Sequence, residues 1–269
     1  MRPIAELGRE AVTVRGVFCD IDDTLTTDGR LTALAYLAME RLRDAGLIVV
    51  PVTGRPAGWC DHIARMWPVD GVVGENGAFY FRYERDARRM RRRYADTEET
   101  RAHHRRRLET IAEEIVKAVP GAAVAADQHY RETDLAIDFC EDVPRLSAGE
   151  IERVVTLMES HGLTAKVSSI HVNGWFGAYD KLSMTRHFMR ECHGVDLDSA
   201  RSEYVFVGDS PNDVPMFSFF PHAVGVANVK DFGAALGHPP AFVTVARCGA
   251  GFSEVADCIL AAVGGRRSP

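Results

Sequence analysis

Apolar stretches of strand length alternate with helically spaced apolar positions over the first 81 residues. The pattern predicts strands over 12–19, 47–52 and 71–74, helices over 31–45 and 57–67, and a hairpin-like segment over 78–83. Gly46 follows the first helix as a C-terminal stop, and Pro56 suits the first turn of the second helix. This β-α-β-α-β order predicts a parallel, doubly wound sheet.

The pattern changes in the middle of the chain. It predicts a helix over 101–118, strands over 122–126 and 135–139, a helix from 147 to about 161, and strands over 165–169 and 170–173. Ser147 and Glu150 have the spacing of a capping box at the start of the second of these helices. This α+β order predicts a separate domain inserted into the first one, over residues 82–179.

The first pattern returns from residue 180 onward. Helices are predicted over 180–192, 211–220 and 249–263, and strands over 203–207, 223–226 and 241–245. The predicted fold class is therefore α/β: a doubly wound, mainly parallel, Rossmann-like core sheet with an inserted α+β domain. Residues 1–81 and 180–269 form the core in this prediction, and the last few residues, GGRRSP, are expected to be disordered.

The composition narrows the class of protein. Hydrophobic residues make up 46% of the 269 residues and the net charge is −6, which favours a soluble globular protein and argues against nucleic acid or an anionic membrane as a partner. No apolar run approaches the roughly 18 residues that a membrane span needs. Six cysteines lack any Cys-x-x-Cys pair, and the N-terminus shows no apolar signal core, so we expect reduced thiols in a cytoplasmic protein.

One basic stretch departs from the acidic average. Residues 82–107 contain eleven arginines and five acidic residues. We interpret the stretch as a solvated face whose arginines pair with nearby acids, namely Asp86, Asp96, Glu98 and Glu99. A strip that binds a polyanion is the alternative interpretation.

Polar side chains follow several predicted core strands, at the edge where open α/β sheets bind ligands. Asp20 and Asp22 come directly after the first strand, Thr53 after the second, and Asp209 with Asp213 after a later one. Neighbouring carboxylates need a cation, a proton or a paired chemistry to coexist. Lys181 starts a helix, where a cation opposes the helix dipole, which suggests a nearby anion. These features indicate a metal-dependent phosphoryl-transfer site.

Four segments in this order resemble the motifs of the haloacid dehalogenase superfamily of phosphatases. They are DIDDT at 20–24, VTGR at 52–55, Lys181 at a helix start, and GDSPND at 208–213. The position of the insertion resembles the cap domain of the type IIB subfamily, which includes Cof-like sugar phosphatases and phosphomannomutase. The resemblance implies Mg²⁺ as cofactor and a small phosphorylated metabolite as substrate.

The resemblance also implies roles for single residues. Asp20 is the expected nucleophile, and Asp22 the expected general acid and base. Mg²⁺ is expected to bind the side chains of Asp20 and Asp209 and the carbonyl of Asp22, with Asp213 behind these ligands. The expected phosphate-binding residues are Thr53, Gly54, Arg55, Lys181 and Asn212. Asp213 has a structural alternative, because Ser210-x-x-Asp213 also has the spacing of a helix cap.

The inserted domain is expected to choose the substrate. The candidate substrate-binding residues are Glu75 and Asn76 on the core side and Asp127, Gln128, Arg131, His171, Asn173 and Trp175 on the inserted domain, with Trp175 as a stacking surface for a sugar ring. Packing roles are the alternative for each of these residues. The predicted function is Mg²⁺-dependent hydrolysis of a sugar or sugar-acid phosphate through an aspartyl-phosphate on Asp20, by a monomer or homodimer. A phosphosugar mutase and a non-catalytic phosphometabolite- or polyanion-binding protein are the alternatives.

Overall fold

The computed structural model describes residues 1–264 of the chain. Within this range no helix combines the length and the apolar character that crossing a bilayer requires. The predicted disorder of the last residues concerns 265–269, which lie outside the described range.

Fifteen strands occur in the described residues. They are β1 (Arg2–Pro3), β2 (Gly16–Cys19), β3 (Thr26–Thr27), β4 (Arg30–Leu31), β5 (Ile48–Pro51), β6 (Val72–Gly74), β7 (Phe79–Glu84), β8 (Arg89–Tyr94), β9 (Ala123–Val124), β10 (Asp134–Asp138), β11 (Thr164–Val167), β12 (His171–Trp175), β13 (Tyr204–Gly208), β14 (His222–Gly225) and β15 (Phe242–Val243).

Nine α-helices accompany them over residues 1–264. They are α1 (Leu7–Glu10), α2 (Ala33–Asp44), α3 (Ala57–Met66), α4 (Glu98–Ala118), α5 (Ala148–Ser160), α6 (Lys181–His193), α7 (Leu197–Ala200), α8 (Val214–Phe219) and α9 (Cys248–Gly264).

A six-stranded parallel sheet forms the core, in the order β1-β15-β14-β13-β2-β5. Side chains of β2 alternate between two buried clusters: Val17 and Cys19 face one, and Phe18 faces the other. A strand buried on both faces explains why its sequence is a continuous apolar run. The mixed α/β fold with a mainly parallel core sheet confirms the predicted fold class.

Three antiparallel sheets lie outside the core sheet, the smallest being the hairpin of β3 and β4. Strands β6, β7 and β8 form a three-stranded sheet, which a bridge between Val52 and Val73 joins to the β5 edge of the core. Strands β11, β12, β10 and β9 form a four-stranded sheet with its own buried cluster, to which α4 and α5 contribute Leu108, Ile115 and Val154. We call this second unit, with α4 and α5, the cap.

The long hairpin of β7 and β8 bears on where the inserted domain begins. Phe79 and Phe81 belong to the core cluster, and Met90 and Tyr94 pack against it. We therefore propose that the inserted domain begins after Tyr94, whereas the sequence placed its start at residue 82.

Most predicted elements are present, with local differences. The first strand begins at Gly16, because Ala11–Thr13 form a 3-10 turn, and it ends at Cys19, so Asp20 and Asp22 do not share a strand face. The helix predicted over 211–220 is divided into a 3-10 turn, Pro211–Asp213, and α8. The capping box of Ser147 and Glu150 is confirmed.

The arginine-rich stretch pairs with acids, but not with the expected ones. Arg91 and Arg93 lie 3.5 Å from the carboxylate of Glu191, and Arg92 lies 2.9 Å from that of Asp61. These acids lie on α6 and α3, so the arginines of β8 connect the hairpin to core helices. The prediction of arginine ion pairs with Asp86, Asp96, Glu98 and Glu99 was wrong among the described residues, since sequence-distant acids are closer in the fold. Arg101 reaches Asp96 only at its backbone carbonyl.

Candidate active site

The carboxyl ends of three adjacent core strands converge on one point. Asp20 follows β2, Thr53 follows β5, and Asp209 follows β13. The backbone N–H of Asp20 donates to Val207 at 2.9 Å, which extends the pairing of β2 and β13 by one residue. A turn over residues 22–25 then carries Asp22 to the same opening as Asp20, where both line one cavity.

Lys181 joins two of the carboxylates. Its ammonium donates to Asp20 Oδ1 at 2.9 Å and to Asp213 Oδ1 at 2.8 Å, and all three side chains are buried. The backbone N–H of Asp209 donates to the other Asp213 oxygen at 3.1 Å. Asp213 thus holds Lys181 and the strand end in place, and Ser210 makes no side-chain cap hydrogen bond, so the capping alternative for Asp213 is wrong.

Asp20, Asp209 and Asp213 form a group suited to a divalent cation. One carboxylate oxygen from each lies within 4.8 Å of the others, and all three residues are buried. Burial raises the pKa of Asp20 to about 7 although Lys181 opposes the shift, and burial followed by the Asp213 and Asp20 charges raises the pKa of Asp209. Three carboxylates facing one ammonium leave negative charge uncompensated, and hard oxygen ligands are those that Mg²⁺ prefers. The residues present therefore fit this cation.

Asp22 is held from the side by Arg55. The Arg55 Nε donates to both carboxylate oxygens of Asp22 at 3.0 and 3.1 Å, and Nη2 donates to Oδ1 at 2.8 Å. Nη2 also donates to Glu141 of the cap at 2.9 Å, and Nη1 lies 3.5 Å from Asp127, also in the cap. Arg55 thus connects the acid/base candidate of the core to two carboxylates of the cap.

The cap closes over the site. The cavity above Asp20 measures about 20 Å³, and its upper side is formed by the cap residues 168–171, Asn173 and Arg131. Such a volume holds about one water molecule. The space above Asp20 is therefore too small for a larger ligand in this arrangement of cap and core.

Comparisons with known proteins agree with this architecture. The haloacid dehalogenase-like hydrolase family matches residues 17–114. No curated protein matches the chain in sequence. Solved structures match over nearly the whole chain.

Three of these structures illustrate the likeness. A putative HAD/COF-like hydrolase from Plasmodium vivax has a TM-score of 0.69 at 16% identity, with 95% of this chain and 99% of the other covered. The sucrose-phosphatase from Synechocystis, solved with sucrose and phosphate, has a TM-score of 0.63 at 15% identity, covering 91% and 98%. A HAD subclass IIB sugar phosphatase has a TM-score of 0.61 at 15% identity, covering 94% and 99%. At such identities the likeness shows the fold.

Residues 17–114 thus carry a likeness in sequence to haloacid dehalogenase-like hydrolases, and the whole chain carries the likeness in fold. The resemblance seen in the motifs is thereby confirmed, as is the prediction of an enzyme. The matched segment includes Asp20, Asp22 and the VTGR segment, and the fold brings Lys181, Asp209 and Asp213 to them.

The remaining phosphate-binding candidates lie around the same opening. Gly54, Arg55 and Asn212 line the cavity. Thr53 is fully buried and its hydroxyl accepts a hydrogen bond from the Arg55 backbone N–H at 3.1 Å. Thr53 therefore shapes the turn that presents the Gly54 and Arg55 backbone.

Glu75 connects the two units instead of lining the cavity. Its buried carboxylate accepts hydrogen bonds from the backbone N–H groups of Ala57, Glu132 and Thr133, at 2.9, 2.9 and 2.7 Å. Burial raises its pKa, whereas these donors favour the charged form. Asn76 is buried beside Gly54, with its backbone N–H bonded to the Thr53 carbonyl. The expectation that Glu75 contacts substrate is replaced by a structural role.

Several cap candidates are also bound to other protein groups. Both ends of the Gln128 amide bind the backbone of β10, at 2.8 Å each. Trp175 is 2% exposed and stacks on Tyr179, so it is not the free stacking surface that the sequence suggested. Asn173 donates to Asp134 at 2.9 Å and also lines the cavity above Asp20. These side chains build the cap.

Several charged or polar cap residues reach the core or the cavity. Arg131 is buried, lines the cavity and donates to the Gly54 carbonyl at 2.8 Å, and its neighbour Asp127 faces both Arg131 and Arg55. His171 lines the cavity, and its Nε2 lies 2.9 Å from Glu141 Oε2. The close contact with the His171 ring, followed by the hydrogen bond from Arg55, lowers the pKa of Glu141 to about 2.

Sequence reasoning missed several residues of the site. Asn228 donates to Asp209 Oδ2 at 3.3 Å and to the Asp23 carbonyl at 3.0 Å, and Thr24 donates to Asp209 Oδ1 at 3.2 Å. Asn228 comes three residues after β14, so the rule that ligands lie at strand ends could have found it. Glu141 follows a cap strand, and no local pattern marks it as a partner of Arg55.

Proposed function

We propose that this protein is a Mg²⁺-dependent phosphatase that hydrolyses a small phosphomonoester, a sugar or sugar-acid phosphate. The observation that carries the proposal is the convergence of Asp20, Asp209 and Asp213 on one point with Lys181 between two of them. Carboxylates this crowded and buried are costly to a fold unless a cation or a reaction uses them.

Asp20 is the proposed nucleophile. Its carboxylate attacks phosphorus, the bond to the leaving alcohol breaks, and an aspartyl-phosphate forms on Asp20. Lys181 already donates to Asp20 and is placed to stabilise negative charge on the phosphoryl oxygens as they form. A water then attacks the same phosphorus and releases inorganic phosphate.

Asp22 is the proposed proton donor and acceptor. It gives a proton to the leaving alcohol oxygen and later takes one from the attacking water. Arg55 binds both oxygens of Asp22, which fixes the carboxylate while the cap is closed. In the open cap Arg55 loses Asp127 and Glu141, so the hold on Asp22 changes as substrate enters.

Asp20, Asp209 and the Asp22 carbonyl would hold Mg²⁺, with Asp213 fixing Lys181 behind them. When bound, the cation supplies positive charge that neutralises phosphoryl oxygens during transfer. Thr24 and Asn228 orient the Asp209 carboxylate toward this position.

The proposal extends to the role of the cap, the cellular location and the oligomeric state. The cap, an inserted domain, selects the substrate, and the protein acts in the cytoplasm as a monomer or homodimer. All six cysteines are free, which is typical of a reducing compartment.

Turnover of a broad phosphomonoester panel with Mg²⁺ tests the proposal. We expect release of inorganic phosphate from at least one sugar phosphate, and loss of that release with EDTA or in the Asp20→Asn variant. Activity that persists in either condition contradicts the mechanism. An isomerised sugar phosphate without phosphate release would identify the mutase alternative.

A further inference from the structure

A second recess, much larger than the phosphoryl cavity, opens beside Asp22. It has a volume of about 520 Å³ and lies between α3, the hairpin of β3 and β4, and the cap turn that ends at Tyr130. Its lining is mainly aromatic and aliphatic and includes Trp59, Ile63, Trp67 and Tyr130. Trp59 is 42% exposed and Tyr130 is 51% exposed, although both are large apolar side chains. We call this recess the aromatic groove.

The aromatic groove is continuous with the reaction centre. Asp22 and Arg55 line both the groove and the cavity above Asp20. The Arg55 guanidinium lies 4.4 Å from the centre of the Trp59 ring. The ion pair of Asp22 and Arg55 therefore forms the wall between the place where phosphorus would react and the groove.

The position of the proton donor decides which side the leaving group takes. Asp22 can protonate the leaving oxygen only if that oxygen lies next to it. The other recess at the site, of about 230 Å³, is lined by Lys181, Asn212 and Lys166 and lies on the side of the Asp20–Lys181 pair. The part of the substrate that departs with its oxygen beside Asp22 therefore extends into the aromatic groove.

The groove also has a defined wall on the cap side. A methyl group at Gly58 would lie 3.0 Å from the Tyr130 Cβ, so the glycine allows Tyr130 to pack directly on the first turn of α3. The centre of the Tyr130 ring in turn lies 4.0 Å from the centre of the His129 ring. The cap thus places an aromatic ring opposite α3, and this ring forms one wall of the groove.

We propose that the aromatic groove is the leaving-group subsite and that the substrate is the phosphomonoester of a ring-bearing alcohol. This inference rests on the proposed function. A sugar or aromatic ring offers a flat apolar face to Trp59 and Tyr130, and a volume of 520 Å³ is in the range of pockets that hold small ligands. In the reaction Asp20 bonds to phosphorus, the bond from phosphorus to the alcohol oxygen breaks, and the Asp22 proton goes to that oxygen. The released ring alcohol then leaves through the groove.

Matched substrates and variants test the inference. The kcat/KM values for phenyl phosphate and glucose 6-phosphate are compared with that for acyclic glycerol 3-phosphate, in the wild type and in Trp59→Ala and Tyr130→Ala. We expect the ratio of ring to acyclic kcat/KM to fall about 10-fold in each variant, since a ring contact contributes up to about 1.5 kcal/mol. Trp59→Phe keeps a ring and should restore most of the ratio. The control Leu37→Ala, at an exposed apolar residue on α2, should leave the ratio unchanged.

The outcomes separate this inference from the proposed function. Turnover with an unchanged ratio would overturn the subsite and leave the phosphatase intact. Equal losses on ring and acyclic substrates would also overturn it, because Trp59 would then act only by supporting Arg55. A change in sedimentation behaviour of Trp59→Ala, with the ratio unchanged, would show that a second copy of the chain covers the groove. Absence of turnover on every phosphomonoester would overturn both proposals.

Discussion

Replacing Lys181 by methionine tests the electrostatic design of the site. Its ammonium lies 2.9 Å from Asp20 and 2.8 Å from Asp213, and all three side chains are buried. Methionine keeps a similar length and removes the charge. Removing one partner of a buried charge pair costs about 3–5 kcal/mol when nothing else compensates the remaining charge.

The variant should lose both stability and rate, and Mg²⁺ should separate the two losses. Without metal, we expect the free energy of unfolding to fall by about 3 kcal/mol. Mg²⁺ should restore more stability to the variant than it adds to the wild type, because it supplies the positive charge that Lys181 provided. The rate should stay at least about 10²-fold lower even in saturating Mg²⁺, since no donor then faces the phosphoryl oxygens on that side.

Urea denaturation with and without Mg²⁺, together with phosphate release, measures these effects. Lys230→Met is the matched control, since Lys230 is exposed, and it should change neither quantity. Unchanged turnover in Lys181→Met would refute the reasoning. A stability loss that Mg²⁺ leaves unaltered would show that the metal lies elsewhere.

Three further perturbations probe the surroundings. Glu141→Gln should weaken the contact between cap and core. The pKa of Glu141 is about 2 in the folded protein against an ordinary 4.5, so the stability difference from wild type in urea titrations should be full above pH 4.5 and should shrink as the pH falls toward 2. A difference that does not change with pH would exclude a contribution from the Glu141 charge. Asn228→Ala removes a hydrogen bond to the Asp209 carboxylate of the proposed metal site. It should raise the Mg²⁺ concentration needed for half-maximal turnover by about 10-fold or more, and an unchanged concentration would exclude an orienting role for Asn228. Gly77→Ala should lower the free energy of unfolding by more than about 1 kcal/mol in thermal unfolding. The reason is that φ is +106° at Gly77 and the new methyl would lie 2.0 Å from the backbone oxygen of Asp180. Gly149→Ala, with open space around it, is the control, and equal effects of the two substitutions would contradict the packing argument.

The core of the fold was predictable because local pattern and burial agree there. Strands β2 and β13 pair at the centre of the sheet, where both faces are covered, and their sequences are continuous apolar runs. The hairpin of β7 and β8 was less clear, because β8 carries arginines whose partners lie on core helices far away in sequence. The prediction from the local sequence pattern therefore included the residues of β8 in the inserted domain.

The site residues of the core were likewise easier to predict from the sequence than those of the cap. Asp20, Asp209 and Lys181 stand at strand ends or a helix start, so their convergence follows from the order of elements. Cap residues depend on side-chain contacts between units, which no periodicity encodes. Trp175 was predicted as the stacking ring but is buried, whereas Trp59 stays exposed beside Asp22.

The central claim is that Asp20 carries the phosphoryl group during turnover. Rapid quenching of the enzyme with Mg²⁺ and a turned-over phosphomonoester, followed by peptide mass spectrometry, tests it directly. The account predicts a phosphoryl adduct on the Asp20 side chain, absent in Asp20→Asn. Turnover without any adduct on Asp20, or an adduct on a different residue, would contradict it.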